Sequence, residues 1–239
     1  EMSKVKNKGK SLEQLLEEAL VPAEEQLYEV PENWVWTNFE YVVDIEMGQS
    51  PPGSFTTEEK TAFPLVGGPA DMGKRFPEAN RYTTKPTKLI QSDGLIMSVR
   101  ATLGKMNFSD QQYCLGRGVA GLTSEIFPIN YLYYFLLLVK NRLYEMASGS
   151  TFLQIGKKEI QSLKIPFPPI TEQRRIVEKI EYLFSKIDEA KQLIDEAKES
   201  FELRRAAILD KAFRGGLTKE WRKNNSILYN HKNFIENVK

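Results

Sequence analysis

Eight cations stand between Lys74 and Arg117: Lys74, Arg75, Arg81, Lys85, Lys88, Arg100, Lys105 and Arg117. Against them stand Glu78, Asp93 and Asp110, so eight minus three leaves +5 here, in a chain whose total is +1. Asn80, Tyr82, Thr83, Thr84, Asn107, Gln111 and Gln112 are interleaved, side-chain types that grip phosphates or read base edges. The same mixture also describes a solvated face, so charge alone does not decide. The exclusions are firmer. One cysteine, Cys114, gives no internal disulfide, and with one histidine, His231 in the polar C-terminal tail, there is no zinc cluster and no His-based acid–base or triad chemistry.

Three short motifs invite a catalytic reading and fail it. GPADMGKR (68–75) spaces Gly68, Gly73 and Lys74 like a phosphate loop, but Arg75 stands where Ser or Thr must hold magnesium, and Pro77 spoils the following helix. GRGVAG (116–121) matches G-x-G-x-x-G by letters only, with no βαβ setting, and reads as a turn and strand. SPPG (50–53) lacks the aromatic with which adenine methyltransferases stack a flipped base. The chain therefore reads as non-catalytic, holding no metal or cofactor of its own.

The elements that must position the basic stretch follow from period and punctuation. Residues 1–10 form a Lys-rich arm, and Ser11 with Gln14 makes a capping-box start for a short helix bearing Leu12, Leu15, Leu16 and Leu20, ended by Pro22. From Trp34 to Ile170, short apolar runs (WVWTNFEYVVDIEMG, FPLVGG, LIMSV, MNFS, GVAGLT) alternate with Gly, Pro, Asp and Asn, predicting strands and turns. One helix is expected at about 130–147 and a weaker one over Lys157–Ser162. At Pro166, Pro168 and Pro169 the pattern stops, and Thr171 stands in N-cap position for a helix beginning near Glu172. Ile176, Ile180, Leu183, Ile187, Ala190, Ile194, Ala197 and Phe201 then recur at heptad spacing, and the seam resumes at Ile208. Neither Pro nor Gly interrupts Glu172–Phe213, roughly 63 Å of helix, before Gly215 and Gly216 end it. The fold class is α+β: a loop-rich domain with a small mixed sheet, then a long coiled-coil helix. The boundaries read 1–30 for the arm and short helix, 31–171 for the domain, 172–214 for the long helix and 215–239 for the tail. No apolar run is long enough for a bilayer, and no signal peptide is legible, so the expected location is the cytoplasm.

Taken together, PENWVWTNFEYVVDIEMGQSPPGSF, SDGLIMSVRATLGKMNF, CLGRGVAGL, YLYYFLL, ASGSTFLQIGKKEIQSLKIPFPPITEQRRIVEKIE and AAILDKAFRGGLTKEWR resemble the specificity subunit of type I restriction–modification enzymes, over nearly all of 11–223. In that family two target recognition domains are held apart by two antiparallel spacer helices. Each domain reads half of a split DNA site, and the helices dock methyltransferase subunits. The resemblance implies that this chain, with one domain and one helix, is a half-subunit or an N-terminal fragment. It implies double-stranded DNA and methyltransferase subunits as partners, and through these restriction subunits. S-adenosylmethionine, ATP and magnesium belong on those partner subunits. The alternative is a coiled-coil assembly module whose globular part binds protein.

On this reading the DNA contacts come from three places. They are Gln49 and Ser50; Lys74, Arg75, Arg81, Tyr82, Lys85, Arg100, Lys105 and Arg117; and Ser150, Thr151 and Lys157. Arg and Gln suit bidentate readout of guanine and adenine, whereas Lys, Ser and Thr suit phosphates. The Ile176–Phe201 stripe needs another helix to cover it, and a two-fold dimer with antiparallel helices is the expected cover.

Overall fold

A computed structural model describes residues 12–60, 63–100, 102–149 and 153–224. The Lys-rich arm, Ser11, Ser150, Thr151 and His231 lie outside the described residues. By contact density the chain divides inside its long helix, into 1–179 and 180–239.

The first unit opens with α1 (Leu12–Ala19), whose end is tied to β1 (Val35–Asn38): Thr37 Oγ1 donates to the Ala19 carbonyl at 2.9 Å, and the Val21 amide to Trp36 at 2.9 Å. The following strands are short: β2 (Asp44–Met47), β3 (Thr56–Thr57), β4 (Phe63–Val66), β5 (Tyr82–Thr83), β6 (Leu89–Ile90), β7 (Leu95–Ser98), β8 (Met106–Phe108), β9 (Tyr113–Leu115) and β10 (Val119–Thr123). Helices α2 (Ile129–Leu138), α3 (Lys140–Met146) and α4 (Lys157–Gln161) precede β11 (Lys164–Phe167) and α5 (Ile170–Phe213).

Three sheets result. An antiparallel sheet runs β2-β10-β7-β8, a mixed one runs β3-β5-β4-β9-β6 with β4 and β9 parallel, and β1 pairs with β11 alone. The four-stranded sheet is covered on both faces, and the period-two alternation says by what. Leu95 and Met97 of β7, with Ala120 and Leu122 of β10, join Leu132, Leu136, Leu143 and Ile160 of the helices in the main core. At alternate positions of the same strands, Ile96 and Val119 turn the other way and meet Val66, Tyr113 and Leu115 of the five-stranded sheet.

The expected helix at 130–147 is two helices. Val139 (φ −88°, ψ 10°) breaks the run, and the bend brings Leu143 into the core that holds Leu132 and Leu136. The Lys157–Ser162 helix forms as α4, closed by Glu159 Oε2 accepting from the Gly156 amide at 3.0 Å. Pro166 does occupy a strand, but a strand of a two-stranded sheet, where its missing donor leaves no central ladder broken. The capping expectation needs correcting. The long helix begins at Ile170, and the Pro169 carbonyl accepts from the Glu172 and Gln173 amides at 2.8 and 3.0 Å, leaving Thr171 exposed in the first turn. Proline ahead of the first turn loses no donor the helix needs, so the joint ends on Pro169 itself. The helix start is fixed by Trp34 Nε1 donating to Glu172 Oε2 at 3.0 Å, by Gln173 Nε2 donating to Pro168 at 2.8 Å, and by buried Val177.

The second unit comprises α5 from Ile180 and α6 (Lys219–Asn224). Lys186–Glu189, Lys198–Asp195 and Arg214–Asp210 pair along its surface. Gly215 (φ +75°) takes the left-handed conformation that a C-cap requires, and the Gly216 amide returns to the Lys211 carbonyl at 2.7 Å. Arg222 Nη2 donates to the Gly215 carbonyl at 2.6 Å, fastening α6 to that turn.

Candidate nucleic-acid interface

The basic residues sit on loops whose backbones are tied to one another. The Gln49 amide donates to Leu115 at 2.9 Å, and Thr87 Oγ1 donates to the Gln49 carbonyl. Ser50 Oγ accepts from the Arg117 amide at 3.3 Å, and the Gly118 amide reaches Gly67 at 3.1 Å. The loops 48–55, 67–81, 84–88 and 116–118 are thereby adjacent. Glycine makes this possible: a Cβ on Gly118 would lie 2.3 Å from the Gly67 carbonyl oxygen, and one on Gly116 2.8 Å from Gly67 Cα. The glycines of GRGVAG serve close backbone approach, with exposed Arg117 presented between two of them.

Gln49, Ser50, Lys74, Arg75, Arg81, Lys85 and Arg117 are all exposed in this cluster. Two cations lie over aromatic rings. The Arg75 guanidinium carbon is 5.1 Å from the centre of Phe108 and 5.7 Å from that of Phe76, and Lys85 Nζ is 5.1 Å from that of Phe55. Phe55 and Phe76 are themselves exposed. Arg81 pairs with Asp71 at 3.6 Å, and the largely buried Asp71 also accepts the Gly67 amide at 2.7 Å. Tyr82 is half-buried, its hydroxyl donating to Ala79 at 3.3 Å.

The remaining expected contacts divide. Exposed Arg100 follows Val99, whose amide donates to Gly118 at 2.9 Å, so it lies along the chain from the cluster. Lys105 is half-buried, and its ammonium donates to the Pro69 carbonyl at 3.1 Å and to that of Met72. Lys157 is elsewhere, lining a cleft with Asp44, Glu46 and Gln91. Ser150 and Thr151 lie outside the described residues.

Two of the polar side chains interleaved with the cations are buried. Asn107 is 1% exposed and donates through Nδ2 to Gly73 at 3.2 Å and Met106 at 3.1 Å. Thr83 is fully buried, its hydroxyl accepting the Lys85 amide at 3.2 Å. Sequence reading missed Asp71, Phe55 and Phe76. A signal for the interior role of β8 was present, since Lys105 and Asn107 at i, i+2 share one face of a strand. Nearby, Tyr113 donates to Asp110 Oδ1 at 2.7 Å, and burial, reinforced by that bond, pushes its phenol up to about 12.

Of the helix-pairing residues, Ile176 is spent within the first unit, packed beside Val177 against the main core, because the first turns of α5 close that core. Ile180 is half-buried. Leu183, Ile187, Ala190, Ile194, Ala197, Phe201 and Ile208 are exposed, and Tyr182, Phe184, Leu193 and Leu203 widen the apolar stripe.

The described residues thus form a loop-rich α+β domain with exposed cations beside exposed rings, and a long helix that carries an exposed apolar stripe. The chain belongs to the type I restriction modification DNA specificity domain family, whose model matches residues 31–199. It is 33% identical over 181 residues to the putative type I restriction enzyme MjaX specificity subunit of Methanocaldococcus jannaschii, covering 73% of this chain and 43% of that one. It is 28% identical over 222 residues to the EcoDI specificity subunit of Escherichia coli, covering 87% and 48%. The crystal structure of the HsdS subunit from Thermoanaerobacter tengcongensis superimposes with a TM-score of 0.68 at 33% identity, over 85% of this chain and 50% of that one. A chain from work on complex assembly and conformational transition of the type I R-M system gives 0.71, also at 33% identity and with the same coverages. The chain thus spans about half the length of the relatives it matches. No helix among the described residues is long and apolar enough to cross a membrane.

Proposed function

We propose that this chain is a sequence-specific, double-stranded DNA-binding specificity subunit that reads one half of a bipartite site. The observation that carries this reading is the exposure of Lys74, Arg75, Arg81, Lys85 and Arg117 on loops of a specificity-family domain, the bases of those loops being tied by hydrogen bonds. Residues 31–171 act as the recognition domain, 172–214 as the spacer helix, and 215–239 as a tail or linker after the arm and helix of 1–30. The chain itself is non-catalytic and binds no cofactor. Methylation and cleavage belong to partner methyltransferase and restriction subunits in the cytoplasm, which supply S-adenosylmethionine, ATP and magnesium.

The exposed stripe of α5 supports the assembly half of the proposal: it docks methyltransferase subunits and pairs with a second such helix. Because the relatives are about twice as long as the matched region, two copies of this chain supply the length of one relative, with two recognition domains and two long helices. An antiparallel two-fold pair places a recognition domain at either end and reads a palindromic split site. The deciding experiment measures anisotropy of a labelled duplex against the purified chain across a salt series. The logarithm of affinity falling linearly with log salt is expected as counterions are released, and absence of duplex binding at low salt refutes the proposal.

A further inference from the structure

The loop between β4 and β5 is built more tightly than a surface loop needs to be. Its stem is a miniature antiparallel ladder: Met72 bridges Pro77, the Glu78 amide donates to Asp71 at 2.9 Å, and the Gly73 amide to Phe76 at 3.2 Å. A Cβ at Gly73 would stand 2.6 Å from the Phe76 carbonyl oxygen, so the turn closes only on glycine. Strand β8 and Lys105 just before it then hold the loop. Lys105 donates to Pro69 and Met72, Asn107 donates to Gly73, and the Phe108 amide donates to the Arg75 carbonyl at 2.9 Å. What these tethers present is an exposed tip, Lys74-Arg75-Phe76, with the Arg75 guanidinium laid over Phe108 and Phe76.

A cation that only neutralises phosphate needs no such scaffold, because a flexible lysine finds a phosphate from many geometries. Base readout is different: a planar guanidinium must meet two acceptors at once, and fixing it beforehand removes the entropy otherwise lost on binding. The side chains that fix the tip are themselves buried or half-buried and make their bonds inward, so they are not available to DNA. We infer that the Gly67–Arg81 loop is the base-reading element of this domain, with Arg75 and Phe76 determining specificity and Lys105 and Asn107 acting as positioning residues.

This rests on the DNA-reading proposal, and the test separates the two. The 239-residue chain selects from a pool of duplexes with a randomised core, and its salt slope is measured on one fixed duplex. In Lys105→Met the loop loses its tether while the tip cations remain, so the slope is unchanged and the enriched motif degrades. A slope shallower by about 0.9 with the motif intact makes Lys105 a phosphate contact and overturns the inference. Because Lys105→Met can disturb folding, exposed Arg75→Gln and Phe76→Leu are tested as well. Each is expected to change the enriched bases at the same positions, with roughly a tenfold to hundredfold loss of preference for the selected site over random duplex. An unaltered motif in both sinks the inference even if DNA binding stands. Failure of the unmodified chain to bind any duplex removes the underlying proposal, and this inference with it.

Discussion

Ile187→Asp tests whether the α5 stripe is an interface. Ile187 is 49% exposed, as are its neighbours on the seam to similar degree (Leu183 47%, Ile194 55%). Full burial of an Ile is worth about 1.5–3 kcal/mol, and about half remains to be gained when a second helix covers it, roughly 0.7–1.5 kcal/mol per copy. A two-fold dimer counts the position twice, so truncating it loses roughly 1.5–3 kcal/mol, or about 10- to 150-fold in Kd. Aspartate adds the cost of holding a carboxylate against apolar surface, so that range is a lower bound. Sedimentation equilibrium across the micromolar range reads the constant directly, with far-UV circular dichroism checking that the helix persists. The expected outcome is a wild-type dimer and a monomeric variant whose recognition domain stays folded. A monomeric wild type with intact helicity, or equal dimerisation of both chains, refutes the reasoning.

Three further outcomes concern the recognition domain. Leu132→Ala, at a fully buried position of the main core, is expected to cost about 2–5 kcal/mol, seen as an unchanged denaturant slope with a lowered midpoint. Gly118→Ala forces a Cβ to within 2.3 Å of the Gly67 carbonyl oxygen, and should lower Tm and weaken duplex binding together by displacing Arg117; unchanged Tm would show that the two loops separate easily. Tyr113 holds its proton more tightly folded than unfolded, with a phenol near 12 against the ordinary 10. Its contribution is therefore complete below pH 10 and is lost as pH rises from 10 toward 12. Tyr113→Phe should flatten that stretch of the stability curve, followed by denaturant midpoint against pH.

Much of the fold is legible because it rests on local pattern. The apolar runs LIMSV, MNFS and GVAGLT became β7, β8 and β10, and the proline joint and heptad stripe became the entry and surface of α5. Strands β3, β5 and β6 escaped because two residues carry no periodicity; their partners define them, and those pairings are long-range. The bend at Val139 escaped for a related reason. The sequence from Ile129 to Met146 is helical throughout in pattern, and only the need to bury Leu143 beside Leu132 divides it. Thr171 has the chemistry of a cap, but the carbonyl of Pro169, two residues earlier, already serves the first free amides.

The local excess of cations was legible in composition but their partners were not, since a lysine reads alike whether it faces solvent or a carbonyl. The fold decides which of the eight cations are already compensated. Lys88 pairs with Glu46 at 2.6 Å, Arg81 shares Asp71, and Lys105 is bound to loop carbonyls. That leaves Lys74, Arg75, Lys85, Arg100 and Arg117, exposed and without a carboxylate partner among the described residues. Counterion release converts that division into a number. If the four besides base-reading Arg75 meet phosphates, the slope of log affinity against log salt is about −3.6 for each domain engaged, whereas all eight cations on phosphates would give about −7. The two values are resolvable by anisotropy over a few-fold change in salt. A slope near −7 would mean that the internal partners of Lys88, Arg81 and Lys105 release them to DNA, and the scaffold argued for the Gly67–Arg81 loop would have to dissolve on binding.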